Sequence, residues 1–188
     1  MGHKLPQRNA PECLQRERLA SSRLFSIEQL DLKFSNGERR LYERIVVQSR
    51  GAVLIVPLID NNSFILVREY AAGTERYELG FPKGLKESAE TSLEAADREL
   101  KEEVGMGARR MQLIKSLTLA PGYFDASIDV ILAEELYPQT AEGDEPEDIE
   151  VLTWSFDDVD ALMARSDFSE ARSITALYMV KHLLDKRG

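Results

Sequence analysis

Three glutamates follow one arginine in the run Arg98-Glu99-Leu100-Lys101-Glu102-Glu103. If this run is helical, each residue advances about 100°, so Glu99 and Glu103 lie about 40° apart with Glu102 about 60° to the other side. An arc of about 100° then carries three carboxylates within little more than one turn. Like charges at i,i+4 weaken a bare helix by about a few tenths of a kcal/mol each. A hard divalent cation, which takes oxygen ligands, removes that cost. Arg98 sits one turn before Glu102 and can orient its carboxylate. The competing reading is a solvated acidic face, and charge pattern alone favours it.

The flanking residues predict the helix that this grouping needs. Thr91 with Glu94 three residues on is a capping box, and Gly105 suits the position after a helix end. Over 91–104, Leu93, Ala96, Leu100 and Val104 share one stripe that can pack on a sheet. Strands are predicted upstream. Phe25–Glu28 with Leu30–Phe34 and then Arg40–Val47 alternate across a Ser35-Asn36-Gly37 turn, a hairpin. Gly51–Leu58 and Ser63–Tyr70 follow around Asp60-Asn61-Asn62, the first apolar on both faces and so central. Ile114–Leu119, Ile128–Ala133 and Val151–Trp154 read as further strands. Asp157–Arg165 and Glu170–Lys186 read as helices, the latter with Ile174, Leu177, Val180 and Leu184 on one stripe. Residues 1–20 show no apolar period and read as a mobile tail. The fold class is α+β, with a mixed sheet and three helices.

Composition narrows the function. The 188 residues include 24 Lys or Arg against 33 Asp or Glu, a net charge of −9. One domain is the prior at this length, with enough chain for a proper core. The acidic balance counts against long nucleic acid as a partner. No stretch approaches a membrane span, and the first residues lack a secretory h-region, so a cytoplasmic protein is expected. The lone Cys13 excludes an intramolecular disulfide. His3 and His182 have no ligand-type partner at metal-binding spacing, and neither they nor Cys13 are assigned chemistry.

The whole segment 84–106 changes the weighing of the acidic run. Gly84, Glu90, Arg98, Glu99, Leu100, Glu102, Glu103, Gly105 and Met106 stand at the nine specified positions of the Nudix box, after a strand pair and leading into a helix. The chain therefore resembles a Nudix hydrolase, which cleaves a nucleoside diphosphate linked to another moiety with Mg²⁺ or Mn²⁺. The resemblance implies an α/β/α sandwich with a mixed central sheet and an N-terminal antiparallel hairpin over 21–50, all within one domain over 21–188. It also implies Glu99 and Glu103 as principal metal ligands, Glu102 as a further one, direct or through water, and the Lys83 carbonyl as an extra one. Arg98 would hold the carboxylates in place, and Glu90 would shape the loop. The chemistry agrees: an acidic site binds an anionic pyrophosphate only through bridging cations, which also polarise the phosphoryl oxygens.

Other segments are similar to the ADP-compounds hydrolase, NudE-type, subfamily of the ADP-ribose pyrophosphatase branch. They include Ser22-Arg23-Leu24-Phe25, Arg68-Glu69-Tyr70-Ala71, Tyr77-Glu78-Leu79-Gly80-Phe81 and Glu142-Gly143-Asp144-Glu145-Pro146-Glu147. This resemblance implies ADP-ribose, diadenosine di- and triphosphates and NADH as substrates. Pro121, 16 residues after Gly105, stands where that branch carries a proline. The acidic loop resembles the one that supplies the catalytic base, which points to Glu145 and then Glu147. Arg68, read as ending a strand toward the box, and Arg39 and Arg44 on the hairpin are candidate substrate contacts. Phe25, Tyr123 or Phe124 could stack on adenine. The related branch uses its hairpin in a two-fold dimer, so a homodimer is expected. The rival readings are a Nudix hydrolase of a nucleoside triphosphate, sugar nucleotide or RNA 5′ end, and a catalytically silent ligand sensor.

Overall fold

The computed structural model describes residues 8–48, 51–143 and 146–187. Its strands are β1 (Glu12–Ser21), β2 (Phe25–Lys33), β3 (Arg39–Val47), β4 (Ala52–Pro57), β5 (Ser63–Ala71), β6 (Arg76–Gly80), β7 (Lys83–Leu85), β8 (Met106–Thr118), β9 (Phe124–Asp125), β10 (Ser127–Pro138) and β11 (Glu150–Ser155). Its α-helices are α1 (Ser92–Glu99), α2 (Val159–Met163) and α3 (Ala171–Asp185). The chain divides into two compact units. One takes Met1–Gln48 with Thr118–Ala126, the other Ser49–Leu117 with Ser127–Gly188.

The smaller unit is a sheet in the order β1-β2-β3-β9. β2 and β3 pair antiparallel from Phe25↔Val47 to Lys33↔Arg39, the hairpin that the alternation predicts. Its turn needs Gly37, whose φ is +87°, and the Gly37 N–H donates to the Phe34 carbonyl at 2.9 Å. The tail expected over 1–20 needs correction from Glu12 onward. That segment is β1, paired antiparallel with β2, while residues 1–7 lie outside the described residues. Every residue of β1 is exposed, so no buried face imposes an apolar period. Register shifts at Cys13/Gln15 and Arg18/Ala20 break what alternation remains. The backbone ladder alone makes this strand.

The larger unit holds a mixed sheet, β7-β4-β10-β8, and a separate antiparallel sheet, β11-β5-β6. β4 lies between its neighbours as predicted, parallel to β10 and antiparallel to β7, with Val53, Leu54, Ile55 and Val56 fully buried. Helices α1 and α3 both pack on β4, which explains why this strand is apolar on both faces. Val53 and Ile55 meet Ala95, Ala96 and Leu100 of the box helix, together with Ile131 and Ala133 of β10. Small residues let α1 approach the sheet. Leu93, expected in the packing stripe, is instead 42 % exposed. In α3 the buried face runs through Ser173, Ala176, Leu177 and Val180, not Ile174 and Leu184. The helix predicted over Asp157–Arg165 is a 3₁₀ turn, Phe156–Asp158, running into the short α2.

The box helix is not α-helical throughout. α1 begins at Thr91 with both bonds of the capping box and ends at Glu99. Leu100–Val104 then widen into a π turn, closed where the Gly105 N–H donates to the Leu100 carbonyl five residues back. Gly105 has φ +73°, which suits glycine. Ahead of the helix, Ala89 takes a left-handed φ of +79° despite its Cβ. Relief of that strain outweighs glycine's greater chain entropy, so Ala89→Gly is expected to stabilise the protein by about 0.5–1 kcal/mol in urea unfolding. A loss of stability would show that the loop tolerates the side chain without strain.

Candidate active site

Arg98 is the hub of the box. Its Nε donates to Glu90 Oε1 at 2.8 Å, and its Nη1 donates to Glu99 Oε1 and Glu102 Oε2, each at 2.9 Å. Its Nη2 reaches the Leu85 carbonyl at 3.0 Å and Glu90 Oε2 at 3.2 Å. One guanidinium thus binds three carboxylates and a loop carbonyl, which a lysine's single ammonium could not span. These bonds, led by the one to Glu90, push the Arg98 pKa further up, so it stays charged. Glu90 also accepts the Glu87 N–H at 2.8 Å and so ties the loop to the helix.

Glu99 and Glu103 do not form a solvated acidic face. They are 7 % and 6 % exposed. Both lie against one short stretch of backbone: the Lys83 N–H donates to Glu103 Oε2 at 3.2 Å, and a Cβ added to Gly84 would stand 1.8 Å from Glu99 Oε1. Burial raises the Glu103 pKa to about 8, aided by the negative charges of Glu69 and Glu99 and opposed by Lys83. A buried carboxyl beside two others suits a site that receives a hard cation. Among the described residues, no group of three or more such side chains is already gathered as a metal cage. Arg98 holds Glu99 and Glu102 by hydrogen bonds. The donor chemistry fits a divalent ion at Glu99 and Glu103, with Glu99 and Glu102 both steadied by the arginine.

Glu69 was not anticipated from the sequence. This β5 residue forms an ion pair with the Lys83 ammonium. Its signal was a polar side chain at the end of the Ile65-Val67-Glu69 alternation, on the same face as two buried apolar residues. Arg68 does not end its strand. It lies within β5, gives its Nη1 to Glu150 at 2.9 and 3.1 Å, and sits 5.2 Å from the centre of the Tyr77 ring. The Tyr77 hydroxyl donates to Glu147 at 2.7 Å. Glu145 lies outside the described residues.

The remaining candidates belong to the smaller unit. Arg44 donates to Glu28 at 2.9 and 3.1 Å and lies 3.3 Å from Asp125, while Arg39 is paired with Asp31. Pro121 sits in a turn that is anchored where the Ile45 N–H donates to the Tyr123 carbonyl at 2.8 Å, next to Arg44 on β3. Phe25, at the start of β2, is exposed.

Residues 48–178 match the NUDIX domain, and residues 11–44 match the NudE-type Nudix hydrolase N-terminal domain. The ADP compounds hydrolase NudE of Escherichia coli is 48 % identical over 178 residues, covering 95 % of each chain. An ADP-ribose pyrophosphatase of Bacillus subtilis is 29 % identical over 86 % of this chain and 88 % of its own. A crystal structure of an ADP compounds hydrolase superposes with a TM-score of 0.89 at 46 % identity, over 98 % of this chain and 99 % of that one. The chain belongs to the Nudix hydrolases and, within them, to the ADP-compounds hydrolase subfamily of the NudE type.

Gly84 carries a prediction. A methyl group there must displace the Glu99 carboxylate, so Gly84→Ala is expected to lower kcat by at least about 10-fold, since small misplacements at a reacting centre are costly. Activity close to wild type, measured alongside a normal unfolding curve, would show that the Glu99 position is not needed.

Proposed function

We propose that this protein hydrolyses the pyrophosphate linkage of ADP-linked compounds, namely ADP-ribose, diadenosine di- and triphosphates and NADH, and releases AMP. The observation that carries the reading is the burial of Glu99 and Glu103 against the Lys83–Gly84 backbone, with Arg98 fixing the carboxylates beside them. The similarity to an ADP compounds hydrolase over 95 % of the chain supports the substrate class.

Glu99 and Glu103 would hold Mg²⁺ or Mn²⁺, with Glu102 and the Lys83 carbonyl as further donors. The ion, when bound, would neutralise the pyrophosphate and polarise the oxygens of the phosphoryl group whose phosphorus is attacked. Arg98 keeps Glu99 and Glu102 in place without reorganisation during reaction. Glu145, or else Glu147, takes the proton of the attacking water. Water's oxygen bonds to phosphorus as the phosphoanhydride bond breaks, so ADP-ribose yields AMP and ribose 5-phosphate. Arg39, Arg44 and Arg68 would contact phosphate or ribose, and Phe25 and the Pro121 turn would border the nucleotide.

The working form is proposed to be a cytoplasmic homodimer joined through the smaller unit. Leu14, Leu19, Leu41, Tyr42 and Ile45 are all exposed on its sheet, which leaves much apolar surface without cover. The partners are then a small nucleotide and a second copy of the chain, without membrane or long nucleic acid. Among the described residues, no helix is long and apolar enough to cross a bilayer.

Product analysis tests the activity. ADP-ribose, NADH and diadenosine triphosphate should release AMP with Mg²⁺ or Mn²⁺ and not with chelator, while dATP stays intact. Glu103→Gln should lower turnover by at least about 100-fold. Inert ADP-linked compounds in the presence of metal would refute the reading and favour a ligand sensor. For assembly, light scattering should give twice the 21.3 kDa of one chain. A monomer at working concentration would sink the dimer.

A further inference from the structure

Lys83 and Glu69 form an ion pair that the mechanism above leaves unused. The Lys83 backbone is held twice, by pairing with Leu54 of β4 and by its N–H bond to Glu103. The root of the side chain is therefore fixed beside the buried carboxylates. Arg98 serves Glu90, Glu99 and Glu102, so the ammonium of Lys83 faces a different carboxylate of the same site.

Both partners are partly exposed, so an incoming anion can reach the ammonium. Lysine offers a compact charge and three rotatable donors on a flexible stem, a combination well suited to phosphate. We infer that the Lys83 side chain is a substrate-binding cation of the pyrophosphate site. It rests on Glu69 in the free enzyme, where it restrains divalent binding at Glu99 and Glu103, and passes to a phosphoryl oxygen when the ADP-linked substrate arrives. The inference rests on the hydrolase reading above and adds a role for a side chain whose backbone carbonyl alone was considered there.

The role has a signature that a packing contact lacks. Loss of the ammonium leaves Glu69 uncompensated and makes the site more negative. Cations must then bind better and anions worse. Loss of the Glu69 charge must weaken the cation.

The test is Mn²⁺ affinity of the substrate-free protein, read by electron paramagnetic resonance of free Mn²⁺, beside KM and kcat for ADP-ribose at saturating Mn²⁺. Lys83→Met should bind Mn²⁺ about 3- to 10-fold more tightly and raise KM at least about 10-fold, with a smaller change in kcat. Lys83→Arg, which keeps the charge, should restore KM to within about 3-fold of wild type. Glu69→Gln should weaken Mn²⁺ about 3-fold and serves as the second variant should Lys83→Met not fold. A folded Lys83→Met protein with unchanged Mn²⁺ affinity, or with metal and substrate affinity shifted the same way, overturns the inference. So does a Glu69→Gln protein that binds Mn²⁺ as wild type does. Mn²⁺ affinity needs no turnover. A chain inert toward ADP-ribose, NADH and diadenosine triphosphate would thus refute the hydrolase reading, while unchanged Mn²⁺ affinities of the variants would overturn this one.

Discussion

Charge concentration governs this structure. The box places Glu90, Glu99, Glu102 and Glu103 on a loop and a helix that must also pack on a sheet. Repulsion among carboxylates grows as water is excluded, because the interior screens charge less than the solvent does. Arg98 answers it for Glu90, Glu99 and Glu102 with a rigid fork that reaches all three and the Leu85 carbonyl. Glu103 is answered in a weaker way, by the Lys83 N–H and by the charge of the Lys83 ammonium. Burial therefore dominates at this inner carboxyl and holds its pKa up at about 8.

The surrounding fold supplies the rigidity that this arrangement requires. β4 is buried on both faces, with α1 on one side held close by Ala95 and Ala96. β7 brings Lys83 and Gly84 against the same strand, so the backbone that touches Glu99 and Glu103 is anchored to the centre of the sheet. The π turn from Leu100 to Val104 lies at the end of this helix, where Glu102 and Glu103 leave it. Wide turns of this kind are rare and are frequently found at functional sites, consistent with a local distortion kept for side-chain placement.

The smaller unit follows a different logic. Its sheet has little core of its own, and its polar positions pair across strands, as Arg44 does with Glu28 and Arg39 with Asp31. Its apolar side chains are largely exposed, which is costly for an isolated sheet and reasonable for one that meets a second surface. The edge turn that carries Pro121 is tied to β3 through backbone bonds, so the basic positions and the proline are held in one unit.

Local chemistry in the chain determined the elements that depend on near neighbours. The capping box at Thr91 and Glu94, the Asn36-Gly37 turn, the two-faced apolar run of β4 and the spacing of the box residues each act within a few residues, so the sequence alone reveals them. What it left hidden depends on partners distant in the chain. β1 buries no face and exists only through its ladder with β2, so it carries no apolar period. Leu93 looks like a packing residue by its spacing, but in α1 the buried positions are Ala95, Ala96 and Glu99, and Leu93 is exposed. Spacing put Glu99, Glu102 and Glu103 on one arc, but it could not tell a wet face from a buried one. Only the tertiary structure decided that Glu99 and Glu103 are buried against Lys83 and Gly84, and that a strand residue, Glu69, joins them through Lys83. Burial and charge compensation are set by which elements meet in space, and sequence periodicity holds no record of that meeting.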